Sequence, residues 1–172
     1  KGIVIEVEPG VYTENVTVSR YNTYIRSVLR KTEQRTVELR GTLTINCTSA
    51  NQKYNQVVGV EGLFLNSTAS VPTVSISGQA FHTTYLKDCY VASNNINSNA
   101  NTLKVFNTAT TASTKIVLAN SIFLGQKAGA DLLNIGGGDF KIDTCEFYYS
   151  SGVTGFGNAI NITGSSLVVA DR

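Results

Sequence analysis

The acid–base chemistry open to this 172-residue chain rests on twelve carboxylates and a single histidine. Glycosidic hydrolysis needs two carboxyl groups about 5 to 9.5 Å apart across a cleft. Asp88, Asp139, Asp143 and Glu146 are the acids whose spacing puts them on successive units of a repeat. Asp139 and Asp143 stand close together, but with no third carboxylate beside them they make a poor cradle for calcium, which takes about six to eight oxygens, and no nearby arginine offers a base to abstract a proton. Asp131, in Ala130-Asp-Leu-Leu-Asn-Ile-Gly136, reads as a turn aspartate. His82 follows Phe81 in a turn-like segment and lacks the material for a zinc site or a serine–histidine–acid triad. Gly136-Gly137-Gly138 has no Lys-Ser/Thr after it and reads as a tight corner rather than a phosphate loop. Three cysteines cannot all pair. Cys89 and Cys145 fall at equivalent places two units apart, about 10 Å at ~4.8 Å per parallel strand, which is beyond disulfide reach. They read as small core residues, and neither a metal nor a cofactor is expected.

Any of these groups would be positioned by a ladder of short strands. The apolar doublets Leu43/Ile45, Val74/Ile76, Leu103/Val105, Leu133/Ile135 and Ile160/Ile162 recur about every 30 residues, and Val16/Val18 extends the series back to a sixth copy. Each doublet is paired with a second strand, as in Val60-x-x-Leu63-x-Leu65, Leu86-x-x-Cys89-x-Val91, Leu118-x-x-Ser121-x-Phe123 and Ile142-x-x-Cys145-x-Phe147. The expected unit is therefore two-stranded, apolar on one face, and stable only against its neighbours. Pro9-Gly10, Ser77-Gly78, the three glycines at 136–138 and Thr163-Gly164 read as turns, and Arg30 to Arg35 and Ala50 to Gln56 as loops. An antiparallel sandwich would use similar strands and turns. Two features favour a parallel coil: like residues recur at like places, and the insertions keep phase with the repeat.

Strand alternation separates inside from outside. If Leu63/Leu65, Cys89/Val91, Ser121/Phe123 and Cys145/Phe147 point inward, then Phe64, Tyr90, Ile122 and Glu146 form an outward column, with Tyr148 just beyond. A row of this kind suits contact with sugar rings or with a neighbouring protein. Asn-x-Ser/Thr sequons at Asn15, Asn46, Asn66 and Asn161 permit glycosylation, and alternation turns Asn46 and Asn161 to solvent.

The opening segment, with its Val7-Glu-Pro-Gly-Val-Tyr-Thr-Glu-Asn-Val16 core, resembles the first rung of the pectin-lyase-like right-handed β-helix superfamily, particularly pectin methylesterase-type sequences. Tyr85-Leu-Lys-Asp-Cys-Tyr-Val91 and Phe140-Lys-Ile-Asp-Thr-Cys-Glu-Phe147 resemble that superfamily's rung pattern, and the resemblance covers nearly the whole chain. It implies an all-β, right-handed parallel β-helix of about six rungs over residues 1–172. For activity it implies two carboxylates, an arginine and aromatic subsites. The expected Gln-Asp pair is replaced by Ala92-Ser-Asn-Asn-Ile-Asn97, and the Arg-Pro-Trp segment has no counterpart. Asp131 falls loosely at the place of the family's nucleophilic Asp. A rung pattern records packing, and function has to be argued from a site.

A net charge of +2 without a Lys/Arg cluster argues against a nucleic-acid groove, and Arg26, Arg30, Lys31 and Arg35 read as a solvated patch. No apolar run reaches the ~20 residues of a membrane helix. The start has no signal-peptide layout, and the chain contains no methionine and shows no capping helix, so a segment of a longer protein is expected, with uncapped ends that meet other subunits or domains. Together these readings point to a non-enzymatic structural or adhesive module. Its setting would be a viral capsid-associated, fibre or tailspike-like protein, or a microbial surface protein, at the virion or cell surface. The alternatives are a carbohydrate-active enzyme of the pectin methylesterase or polysaccharide lyase kind, using Asp131, Asp139 and Asp143, and a glycan-binding module without turnover.

Overall fold

Strand follows strand at short intervals because the sequence alternates apolar and polar residues in runs of three to six and breaks them with Gly, Asn, Asp and Ser. The computed structural model describes residues 2–29, 36–47, 56–69, 71–78, 82–93, 103–105, 114–126, 129, 131–164 and 166–171. Its strands fall into three sheets. The first contains β1 (Ile3–Val7), β4 (Thr23–Ser27), β7 (Gln56–Glu61), β10 (His82–Lys87), β13 (Lys115–Ala119), β16 (Gly138–Asp143) and β19 (Ser166–Asp171). The second contains β2 (Gly10–Tyr12), β5 (Val37–Arg40), β8 (Phe64–Ser67), β11 (Tyr90–Ser93), β14 (Ile122–Gly125) and β17 (Glu146–Tyr149). The third contains β3 (Val16–Val18), β6 (Leu43–Cys47), β9 (Val74–Gly78), β12 (Leu103–Val105), β15 (Leu133–Ile135) and β18 (Ile160–Ile162).

Each strand pairs in parallel with the one three elements further on, so the chain visits the three sheets in a fixed cycle. The apolar doublets all lie in the third sheet and in register: Val16 beside Leu43, Leu43 beside Val74, Val74 beside Leu103, Leu103 beside Leu133 and Leu133 beside Ile160. Between the sheets lies one core that includes Ile45, Val60, Leu65, Ile76, Leu86, Val91, Leu118, Phe123 and Ile135. Phe123 stacks on Phe147 one cycle later, with centroids 5.2 Å apart and planes 14° from parallel. That contact explains why like residues recur at like places.

The repeating unit has three strands, not two. What alternation presents as one second strand is broken between its two halves by a residue with positive φ: Gly62 (72°), Asp88 (53°), Asn120 (46°) and Thr144 (51°). Gly, Asn and Asp enter this left-handed region most readily. The bend turns the chain from the first sheet to the second, yet the inward phase continues on either side of it, so the sequence pattern runs on across the corner. Neighbouring bends are tied together. Asp88 N–H donates to Ala119 O (3.1 Å), Asn120 N–H to Asp143 O (2.9 Å), and the Asn120 amide to Asp88 Oδ1 (2.5 Å).

The residue after each bend explains the cysteines. Cys89 Sγ–H donates to Lys87 O (3.3 Å), Ser121 Oγ–H to Ala119 O (2.8 Å) and Cys145 Sγ–H to Asp143 O (3.4 Å). A small side chain with a donor is what this place requires, and Cys and Ser both supply it. Cys89 is fully buried and Cys145 half-buried, and both are free thiols.

Two turn assignments are corrected. Ser77 and Gly78 continue β9, where they pair with Asn46 and Cys47, and His82 opens β10 beside Gln56. In both cases strand pairing across the cycle overrides local turn preference. Gln56, placed in a loop by its polar neighbours, opens β7 for the same reason.

Candidate functional site

The outer face of the second sheet carries the strongest concentration of binding chemistry. Glu38 and Arg40 alternate outward from β5, and parallel register sets Phe64 beside Glu38, Asn66 beside Arg40 and Tyr90 beside Phe64. Arg40 Nε and Nη2 donate to Glu38 Oε1 and Oε2 at 2.9 and 3.1 Å, a two-pronged ion pair. The Asn66 amide donates to Glu38 Oε1 at 3.0 Å. The Arg40 bond holds the Glu38 carboxyl below its ordinary pKa against the opposing effect of partial burial, so the group stays ionised in neutral solution. Glu38, Arg40 and Asn66, with Thr13, Asn15 and Thr68, line a cleft of about 570 Å³ at the corner between the second and third sheets. Gly41 lies in its wall, where a Cβ would stand 1.9 Å from Glu14 O of the preceding cycle.

The expected outward column is in register as alternation requires: Phe64 beside Tyr90, Tyr90 beside Ile122 and Ile122 beside Glu146. Phe64, Tyr90 and Ile122 are half-buried rather than exposed, and Phe64 meets Tyr90 edge-on at 5.0 Å. Tyr148 is exposed and lies in the adjacent column, beside Leu124, with its hydroxyl donating to Glu146 Oε2 at 2.5 Å.

The candidate acids do not converge. Asp131 precedes β15 at the entry to the third sheet. Its Oδ1 accepts the Asn158 backbone N–H (2.9 Å) and amide (3.0 Å), and its Oδ2 accepts the Asn161 amide (2.6 Å). Asp139 and Asp143 project from β16 on the outer face of the first sheet, with Asp139 beside Lys115 and Asp143 3.8 Å from Lys141. Asp143 Oδ1 also accepts the Thr144 hydroxyl at 3.0 Å. Further along the same face Glu6, Arg26, Glu61 and Lys87 form a column of alternating charge, with ion pairs of 2.6 Å for Arg26–Glu6 and 3.4 Å for Lys87–Glu61. Exposed pairs of this kind contribute about 0–1 kcal/mol each. Tyr24 donates to Glu61 Oε2 at 2.9 Å, and burial together with that bond pushes its phenol up to about 12. Arg26, read from sequence as part of a solvated basic patch, is therefore committed to Glu6; Arg30, Lys31 and Arg35 lie outside the described residues.

Nucleophilic thiol chemistry is disfavoured, since burial raises Cys47 to about 11 and Cys89 to about 12. Among the described residues no group of three or more His, Cys, Asp or Glu side chains could hold a metal ion, and no helix is long and apolar enough to cross a membrane. The His82 side chain lies outside the description.

The four sequons differ in environment. Asn46 is exposed on β6. Asn15 is exposed too, and its Oδ1 accepts from the Thr42 backbone and hydroxyl at 2.9 and 3.0 Å. Asn66 and Asn161 are half-buried, with their amides given to Glu38 and Asp131. Asn161, placed in solvent by alternation, is drawn in by the Asp131 carboxylate from the preceding cycle.

Sequence reasoning missed Glu38 and Arg40. Their i, i+2 spacing puts them on one face of a strand, but that signal acquires meaning only once Asn66 is known to lie beside them. In comparison with known proteins, no family model, no curated protein and no solved structure matches the chain.

Proposed function

We propose that this chain is a right-handed parallel β-helix of about six rungs, related in architecture to the pectin-lyase-like superfamily, that serves as a structural or adhesive module. Three sheets visited in a fixed cycle support that architecture, and parallel crossovers are right-handed in about 98% of cases. The observation that carries the functional reading is the use made of the acids. Asp131 is saturated by Asn158 and Asn161 from the next cycle, while Asp143 faces Lys141 and Thr144 on a different sheet. Asp131 fastens one rung to the next and Asp143 is engaged by its own strand and turn, and carboxylates so engaged are poorly disposed to attack a substrate or to exchange its protons. The partners in this reading are other protein subunits or domains, or glycans, meeting the outer faces. The setting is a virion, fibre or cell surface.

Incubation with methylated pectin and with polygalacturonate, followed by assay of methanol and unsaturated uronide, tests the reading against a carbohydrate-active enzyme. No product is expected from the wild type. Asp131→Ala is expected to lower stability by about 1 kcal/mol or more, because it strips the partner from three donors. Wild-type turnover that Asp131→Ala abolishes without unfolding would overturn the proposal.

A further inference from the structure

We infer that the outer face of the first sheet over β1, β4, β7 and β10 docks a second copy of this chain, with the two coil axes opposed and the column Glu6–Arg26–Glu61–Lys87 matched in charge across the contact. The column alternates strand by strand: negative, positive, negative, positive. Taken from its other end, it holds the opposite charge at every level. A two-fold axis running along the strands, midway between β4 and β7, lays the column of one copy on the same column of the other with the strand order inverted. Glu6 of each copy then meets Lys87 of the other, and Arg26 meets Glu61. One patch serving both partners is the isologous contact of a two-fold dimer.

Charge also rejects the other arrangements. Coil axes running in the same sense would set each charge on its like. With the axes opposed, moving the two-fold onto β4 sets Arg26 on Arg26, and moving it onto β7 sets Glu61 on Glu61 and Arg26 on Lys87. Moving it between β7 and β10 sets Glu6 on Asp143. The neighbouring column, Val4–Tyr24–Gly59–Tyr85, closes without conflict: Val4 meets Tyr85 and Tyr24 meets Gly59. Val4 and Tyr85 are exposed, so their burial supplies the apolar part of the contact. The Tyr24 ring lies across Gly59, leaving no room for a Cβ there, and its hydroxyl is pinned to Glu61 at 2.9 Å. The middle of the patch is therefore fixed before a partner arrives. Glu6 and Lys87, which meet across the axis, each keep 51% of their side-chain surface exposed beside their own ion-pair partners. Four strands at ~4.8 Å and five residues at ~3.3 Å give a footprint of about 20 by 17 Å, below the ~800 Å² per partner of a standard interface. The association is accordingly weak, with its geometry set by charge. The inference deepens the structural reading by naming a partner, and rests on that reading only in taking this face as a contact surface.

Sedimentation equilibrium at up to about 1 mM protein tests it. Concentration-dependent dimerisation is expected at ~20 mM NaCl, weakened about tenfold or more at ~500 mM. Glu6→Lys and Lys87→Glu are each expected to weaken it about tenfold or more, and an equimolar mixture of the two to regain it as a heterodimer, since each reversed charge then meets its opposite. Lys141→Glu, the same change of charge on β16 outside the contact, is expected to leave it unchanged. Thermal unfolding of each variant establishes that it is folded; where a reversal does not fold, Glu6→Gln and Lys87→Gln probe the same contacts and are expected to weaken dimerisation. The inference is overturned by a wild type that stays monomeric at ~1 mM in low salt, by a mixture of reversals no more associated than either alone, by equal weakening from Lys141→Glu, or by Gln variants that dimerise as the wild type does. Such a failure would leave the structural reading standing, since turnover tests that separately.

Discussion

Thr84 points into the core from β10, fully buried, and its hydroxyl has no hydrogen-bond partner among the described residues. A buried unpaired hydroxyl costs about 1–3 kcal/mol, and its neighbours in register, Val58 and Ile116, offer only methyl groups at that level. Thr84→Val keeps the shape and removes the polar atom. Denaturant unfolding is expected to place the variant about 1 kcal/mol above the wild type, and a loss of stability would mean that the hydroxyl is satisfied after all. The acids tell the opposite story at the same scale. The Asp131 tie was not legible, because its partners Asn158 and Asn161 lie a full cycle away and nothing local in the sequence joins them.

At the scale of elements, the corner between the first and second sheets decides how much strain the repeat carries. Gly62, Asp88 and Asn120 belong to the residue types that enter the left-handed region most readily, whereas Thr144 at φ 51° does so against its branched Cβ. Thr144→Asn should relieve that conflict and raise stability by about 1 kcal/mol in thermal or denaturant unfolding. A destabilised variant would show that the Thr144 hydroxyl bond to Asp143 outweighs the backbone strain. The same corner explains why two strands read as one. Val60, Leu63 and Leu65 stay in inward phase across the bend, so hydrophobic periodicity records which side chains face the core and is blind to a change of direction between them. The αL residues were the signal for the break, visible as Gly, Asp and Asn at one phase of the repeat.

For the whole molecule, the roughly 30-residue period made the parallel stacking legible, since only stacked equivalents explain Cys89, Ser121 and Cys145 at one place and Phe123 above Phe147. The cleft was not legible. Thr13 and Asn15 come from the first cycle, Glu38 and Arg40 from the second and Asn66 from the third, each separated by some tens of residues, and the sequons at Asn15 and Asn66 carry no sign that they meet. Parallel register alone assembles them, and the same register sets the charge column Glu6–Arg26–Glu61–Lys87 on the outer face of the first sheet. The middle outward column of the first sheet gives the most direct handle on this arrangement. It runs from Val4 through Tyr24, Gly59, Tyr85, Val117 and Lys141 to Val169 in unbroken parallel register, with Val4, Tyr85 and Val169 exposed. Spin labels at pairs of those three positions, in a Cys145→Ser background, measure the stack itself. A parallel coil at ~4.8 Å per strand predicts Cα separations of about 14 Å for 4–85, about 14 Å for 85–169 and about 29 Å for 4–169, the last equal to the sum of the others. A 4–169 separation well short of that sum would contradict it.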